Sequence, residues 1–169
     1  MARDFRYQHL DGDLMPLISG ANVAPPVGEI YLTAAATMTI SDTTTYFVLD
    51  NAANTALGSV SRLFDKPSNS RLRYTGTNPA VLHIAMSVSF TTSSNSQIIR
   101  FVIQKNGATI AGSEQQRKTG TGTDVGSTAI HASVAVVTND YLTIGIRNGS
   151  SASDASIVNM NLFAMAMPA

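Results

Sequence analysis

From residue 28 onward, large apolar side chains fall on every second position. Leu82, Ile84, Met86, Val88 and Phe90 alternate with His83, Ala85, Ser87 and Ser89. A period of two is the mark of a strand with one buried face. Ile99, Phe101 and Ile103 alternate with Arg100, Val102 and Gln104 in the same way. So do Ile130, Ala132, Val134 and Val136 with His131, Ser133 and Ala135, and Leu142, Ile144 and Ile146 with Tyr141, Thr143, Gly145 and Arg147. Further strands are expected near 30–34, 37–40, 46–49, 71–74, 109–113 and 156–167. Turn chemistry separates them. Lys105-Asn106-Gly107-Ala108 is the strongest hairpin signal, because a type I′ turn needs positive φ at both central residues. Asn139-Asp140, residues 148–151 and residues 75–79 mark other reversals. No segment has an amphipathic helical period, and no fixed repeat is visible. The pattern predicts an all-β fold, an antiparallel β-sandwich or jelly roll.

The last strand differs from the others. One side offers Val158, Met160, Leu162, Ala164 and Ala166. The other offers Ile157, Phe163, Met165 and Met167, with Asn159 and Asn161 between them. Burial on both sides within one sandwich is one reading. A subunit interface near a symmetry axis is the favoured one, with Ile157, Phe163, Met165 and Met167 facing the partner.

Residues 1–27 break the period. They hold Arg3, Asp4, Arg6, Asp11 and Asp13, with Phe5, Tyr7, Leu14, Met15, Leu17 and Ile18 in no regular spacing. Pro25-Pro26 blocks a helix across the junction and favours extended chain. The expected organisation is an extended N-terminal arm, 1–27, and a head, 28–169.

Composition narrows the function classes. Of 169 residues, 13% are charged, about half the usual ~25%. Eighteen Ser, eighteen Thr and eleven Asn give a hydroxyl-rich surface. Eleven Lys+Arg balance eleven Asp+Glu, so no net field points to nucleic acid or an anionic membrane. With no Cys there is no disulfide scaffold, thiolate metal site or cysteine nucleophile. Apolar runs fall far short of the ~20 residues of a membrane helix. Met1 to Tyr7 precede no apolar stretch of a secretory signal.

Candidate chemistry is sparse. His83 and His131 fall on the small, polar sides of their strands. No G-x-S-x-G elbow exists, and Val125-Gly126-Ser127 lacks the second glycine. Asp11-Gly12-Asp13 lacks the further oxygens and distal Glu of a calcium loop. The glycines of 120–126 have the wrong spacing and no following helix for phosphate binding. Arg71, Arg73, Arg117 and Lys118 lack the interleaved aromatics of a nucleic-acid surface. Asn148-Gly149-Ser150 matches a glycosylation sequon but reads as a turn. The expectation is no catalytic residue, no cofactor and no metal.

The order of motifs resembles a family of tailed-bacteriophage virion proteins with trimeric jelly-roll heads of the tumour-necrosis-factor and C1q type. The resemblance rests on Gly28-Glu29-Ile30-Tyr31, the Ala- and Thr-rich 34–40, Arg71-Leu72-Arg73-Tyr74-Thr75-Gly76 and the strand 83–90. Phe101-Val102-Ile103-Gln104-Lys105-Asn106-Gly107-Ala108-Thr109-Ile110 carries most of it, followed by Ser113, Arg117, Asn139-Asp140-Tyr141-Leu142 and Met160-Asn161-Leu162. It spans about 28–169 and leaves out the arm.

The resemblance implies a homotrimer, no enzymatic activity and a place on a virus particle made in the host cytoplasm. A short arm and one head leave no room for a tail-fibre shaft, which favours a capsid decoration, cement or head-fibre protein. Arg3, Phe5, Arg6, Tyr7, Leu14 and Leu17 are then the candidate anchors to a major capsid protein or other virion protein. The alternative is a tail-borne adhesin head that recognises a host surface glycan or protein. Its candidate contacts are the exposed-loop residues Arg117, Lys118, Thr121 and Asp124.

Overall fold

The computed structural model describes residues 24–49, 54–68, 70–121 and 124–167. The candidate anchors Arg3, Phe5, Arg6, Tyr7, Leu14 and Leu17, like the Asp11-Gly12-Asp13 turn, lie outside them. The described residues form thirteen strands: β1 (Val27–Leu32), β2 (Ala36–Met38), β3 (Phe47–Val48), β4 (Thr55–Leu57), β5 (Phe64–Asp65), β6 (Leu72–Tyr74), β7 (Ala80–Thr92), β8 (Ile98–Lys105), β9 (Ala108–Thr109), β10 (Gln115–Lys118), β11 (Gly126–Val136), β12 (Tyr141–Asn148) and β13 (Ala155–Ala166).

They make two antiparallel sheets packed face to face. One runs β11-β7-β13-β1-β4, with β2 also on β13. The other runs β10-β8-β12-β6-β5, with β3 on β12 and β9 on β8. The alternating apolar positions fill the space between. Leu82, Ile84, Met86, Val88 and Phe90 of β7 meet Ile99, Phe101 and Ile103 of β8 and Leu142, Ile144 and Ile146 of β12. Leu82 and Phe101 are fully buried. The Phe90 and Phe101 rings lie 5.1 Å apart, tilted by 58°, a favourable aromatic arrangement.

The hairpin between β8 and β9 turns at Asn106 and Gly107, with φ of 52° and 81°, as the type I′ reading requires. Strand β1 begins at Val27. Pro26 is already tied to the sheet, since its carbonyl accepts Ala166 N–H at 2.9 Å.

Strand β13 corrects the sequence reading. Its register against β7 shifts between Ile157 and Asn159. One extra residue in a strand reverses the side-chain phase beyond it. Ile157 therefore points into the core, 1% exposed, and Val158 points out. Past the bulge, Met160, Leu162, Ala164 and Ala166 face the core, and Met165 and Met167 are exposed. Ile157 is thus no part of the outer face expected for it.

Candidate functional site

The outer face of the β11-β7-β13-β1 sheet is continuous across four strands. Register fixes its rows. His83 lies opposite Ser133 and Met165, and Ala85 opposite His131 and Phe163. Ser87 lies opposite Ala129 and Asn161, and Ser89 opposite Ser127 and Asn159. Across β13, Glu29 meets Phe163 and Tyr31 meets Asn161.

The face divides along the strands. At one end Val81, Met165 and Met167 expose 47, 38 and 39% of their surface, beside half-buried Phe163. At the other end a concavity of about 710 Å³ is lined chiefly by Tyr31, Ser87, Ser89, Ser127, Asn159 and Asn161. It sits beside the β13 bulge. Glu29 is the acid of this face and accepts from the Asn161 amide.

Two histidines sit where the zones meet. His131 Nδ1 and His83 Nε2 are 3.2 Å apart. Their ring centres are 5.3 Å apart and their planes 19° from parallel, so nitrogen faces nitrogen across two strands. The sequence places both outward, but their meeting depends on diagonal register and is not visible in it.

The other sheet carries a charged cluster that the sequence does not announce. Tyr46 donates its hydroxyl to Glu114. Arg100 Nη1 reaches Glu114 at 2.7 Å and Arg147 Nη2 at 3.8 Å. The Arg147 guanidinium lies 4.8 Å from the Tyr46 ring centre. Burial, and then the Glu114 contact, push the Tyr46 hydroxyl up to about 12. The Tyr46 hydrogen bond, supported by both arginines, holds the Glu114 carboxyl below its ordinary value against partial burial. This brace links residues 46, 100, 114 and 147, with the buried Nε of Arg100 and of Arg147 left without a hydrogen bond among the described residues.

The candidate loop contacts are placed as follows. Arg117 and Lys118 stand exposed on β10, and Thr121 and Asp124 are exposed beyond it. Neither cation is ion-paired among the described residues. Arg73 pairs with Asp65 at 2.6 Å, and Arg71 stacks 4.5 Å over Tyr141. Asn148 is fully buried. Its amide donates to Gln97 at 3.0 Å while its carbonyl accepts Ser150 N–H at 3.0 Å, the turn the sequence suggests. Among the described residues no three His, Cys, Asp or Glu side chains converge on a metal position. No helix there is long and apolar enough to cross a membrane.

No known family profile matches the chain, and no curated protein matches it. Solved structures do. The Eiger TNF of S. frugiperda superposes with a TM-score of 0.57 at 10% identity, over 86% of this chain and 94% of that one. Murine APRIL at pH 5.0 gives 0.55 at 12%, over 82% and 98%. The PRD1 vertex protein P5 gives 0.50 at 14%, over 86% and 99%. The fold is therefore a TNF-like jelly roll, and at such identities the likeness is one of fold.

Proposed function

We propose that this chain is a non-enzymatic structural protein of a tailed-bacteriophage particle. In this reading three copies join through the outer face of the β11-β7-β13-β1 sheet, and residues 1–27 anchor the trimer to the capsid as a decoration protein. The apolar end of that face carries the reading. Val81, Met165 and Met167 are large, exposed and on neighbouring strands. Contiguous apolar surface of this kind marks interaction sites, and rotation about one axis covers it three times over. The phage-head motifs around Asn106 and Asp140 support placement on a virion, as does the shared fold of a vertex protein. Arg3, Phe5, Arg6, Tyr7, Leu14 and Leu17 are the anchor residues of choice. Three arms on one trimer convert weak single contacts into durable attachment.

The test is particle binding by the full chain and by a version lacking 1–27, with mass measured by light scattering. Loss of binding with a trimeric head is expected. Undiminished binding overturns the arm as anchor, and a monomeric full chain overturns the trimer. Immunogold labelling of particles then reads the location, with gold over the heads expected. Gold confined to the tail favours a receptor-binding head instead. The exposed cations Arg117 and Lys118, which pair with no acid among the described residues, are with Thr121 and Asp124 the contacts that reading would use.

A further inference from the structure

We propose that Asn106 is a site of spontaneous deamidation and that the Asp140 carboxylate guards it. The chain holds two Asn-Gly dipeptides, Asn106-Gly107 and Asn148-Gly149. Glycine favours the reaction because no side chain stands beside the attacking backbone nitrogen. At the first site the Gly107 nitrogen attacks Asn106 Cγ. The N–Cγ bond forms, the Cγ–Nδ2 bond breaks, and ammonia leaves with the Gly107 amide proton. The cyclic imide then takes up water. Opening at Cγ gives aspartate. Opening at the Asn106 backbone carbonyl gives isoaspartate, with the main chain routed through the side chain.

The structure separates the two sites. Asn148 is fully buried. Its Nδ2 donates to Gln97 Oε1 at 3.0 Å and to the Ser153 carbonyl at 3.2 Å. Its Oδ1 accepts Ser150 N–H at 3.0 Å and Ser151 N–H at 3.3 Å. Four hydrogen bonds hold that amide away from water. Asn106 and Gly107 instead stand exposed at the tip of the β8–β9 hairpin. Among the described residues beyond its chain neighbours, no atom lies within 4 Å of where a Gly107 Cβ would stand. Water and base reach this turn freely.

The guard is the corner where the β8–β9 turn meets the β11–β12 turn. Asn106 Nδ2 donates to Asp140 Oδ1 at 2.7 Å, and Asn106 Oδ1 accepts Tyr141 N–H at 3.0 Å. The Asn106 N–H donates to the Tyr141 carbonyl at 2.9 Å. Nδ2 is the leaving group, so the Asp140 contact must break before ammonia departs. A bond to a charged acceptor is the stronger kind. The reaction therefore runs from the locally opened corner, and such openings are easier at hairpin tips than in a packed core. The product cannot close the corner again. Aspartate at 106 has no side-chain N–H for Asp140 and sets carboxylate against carboxylate. Isoaspartate adds a main-chain atom to a two-residue turn, whose length fixes the register of the hairpin.

The experiment is peptide mapping by mass spectrometry of the full chain aged in mildly alkaline buffer, folded and in urea, with isoaspartate counted at each Asn-Gly. In the folded chain Asn106 should react ahead of Asn148. It should react about tenfold or more slowly than in urea, the factor carried by one hydrogen bond to a charged group. Asp140→Ala should raise the folded Asn106 rate toward the urea rate and leave Asn148 unchanged. Asn148 thereby reports unfolding. If Asp140→Ala quickens both sites, the variant has unfolded, and the parent chain folded against urea decides. Asn106→Asp, the product without the chain shift, should melt below the parent. Equal Asn106 rates folded and in urea, or a folded Asp140→Ala that matches the parent, overturn the guard. Asn148 reacting as fast as Asn106 in the folded chain overturns the site. An Asn106→Asp chain as stable as the parent overturns the effect on the corner.

Discussion

Asn106 and Asp140, 34 positions apart, hold each other's turns. Asn106 Nδ2 donates to Asp140 Oδ1 at 2.7 Å, and Asn106 Oδ1 accepts Tyr141 N–H at 3.0 Å. Asp140 Oδ2 accepts Val137 N–H at 3.0 Å. Both reversals use left-handed residues, Asn106 at φ 52° and Asn139 at 73°. The K-N-G and N-D-Y motifs therefore form one locked corner, which gives their joint presence a physical cause.

Removing that carboxylate should loosen both turns. Burial raises the Asp140 carboxyl, but Val137 N–H, the Asn106 amide and Lys105 outweigh it, so its pKa lies below the ordinary value. A depressed folded value means stability that is present above the unfolded aspartate pKa of ~3.9 and is lost as pH falls through the folded one. Asp140→Ala should cost about 1.5–3 kcal/mol at neutral pH, the range for hydrogen bonds to a charged group. Urea denaturation of both proteins at pH 7 and below pH 3 checks it. The gap should narrow in acid, and a constant gap would contradict this account.

The long strands were legible because a sandwich imposes a period of two on any segment with one face in the core. β7 and β11 follow it throughout, whereas β8 and β12 keep large apolar residues on every second position but are buried on both faces over 101–104 and 142–146. β4, β5 and β10 show no such period. β10 reads Gln-Gln-Arg-Lys and is exposed at every position. It is a strand because the edge of β8 supplies its partners, register included. The Ile157 error has one cause, a bulge that alternation cannot reveal. The site was legible only in part. Phe163, Met165 and Met167 lie on the outer side as expected, but the Tyr46–Glu114 contact joins residues 68 apart with no local signal.

The bulge yields a contrast within one strand. Ile157→Ala opens a cavity beneath β13 and should cost about 2–5 kcal/mol. Met165→Ala removes a side chain 38% exposed and should change head stability by less than about 0.5 kcal/mol. Met165→Ala should instead weaken self-association. Denaturation of dilute protein, where heads are separate, reads the first effect, and sedimentation reads the second. Equal stability losses would place both residues in the core and remove the bulge from the account.

Phe101 and Leu82 test the sandwich itself. They come from opposite sheets and are both fully buried. Truncation of either to Ala should cost roughly 2–5 kcal/mol by thermal or chemical unfolding. Losses below about 0.5 kcal/mol at both positions would mean that the sheets meet through other faces.

Tyr46 should be the late-titrating tyrosine of the charged brace. Ordinary phenols ionise near pH 10, whereas burial and the Glu114 carboxylate raise Tyr46 to about 12. The arginine charges oppose the rise, Arg147 by more than the Glu114 charge adds to it, but they do not outweigh burial and the Tyr46–Glu114 hydrogen bond. Absorbance at about 295 nm during an alkaline titration should show one component near pH 12, and Tyr46→Phe should remove it. Glu114→Gln should move that component down by less than the full difference, because burial, the larger cause, remains. The same hydrogen bond holds Glu114 low, so Tyr46→Phe should raise the Glu114 carboxyl toward its ordinary value, readable by side-chain carboxyl NMR. A Tyr46 that ionises near pH 10 would mean that the brace is open in solution.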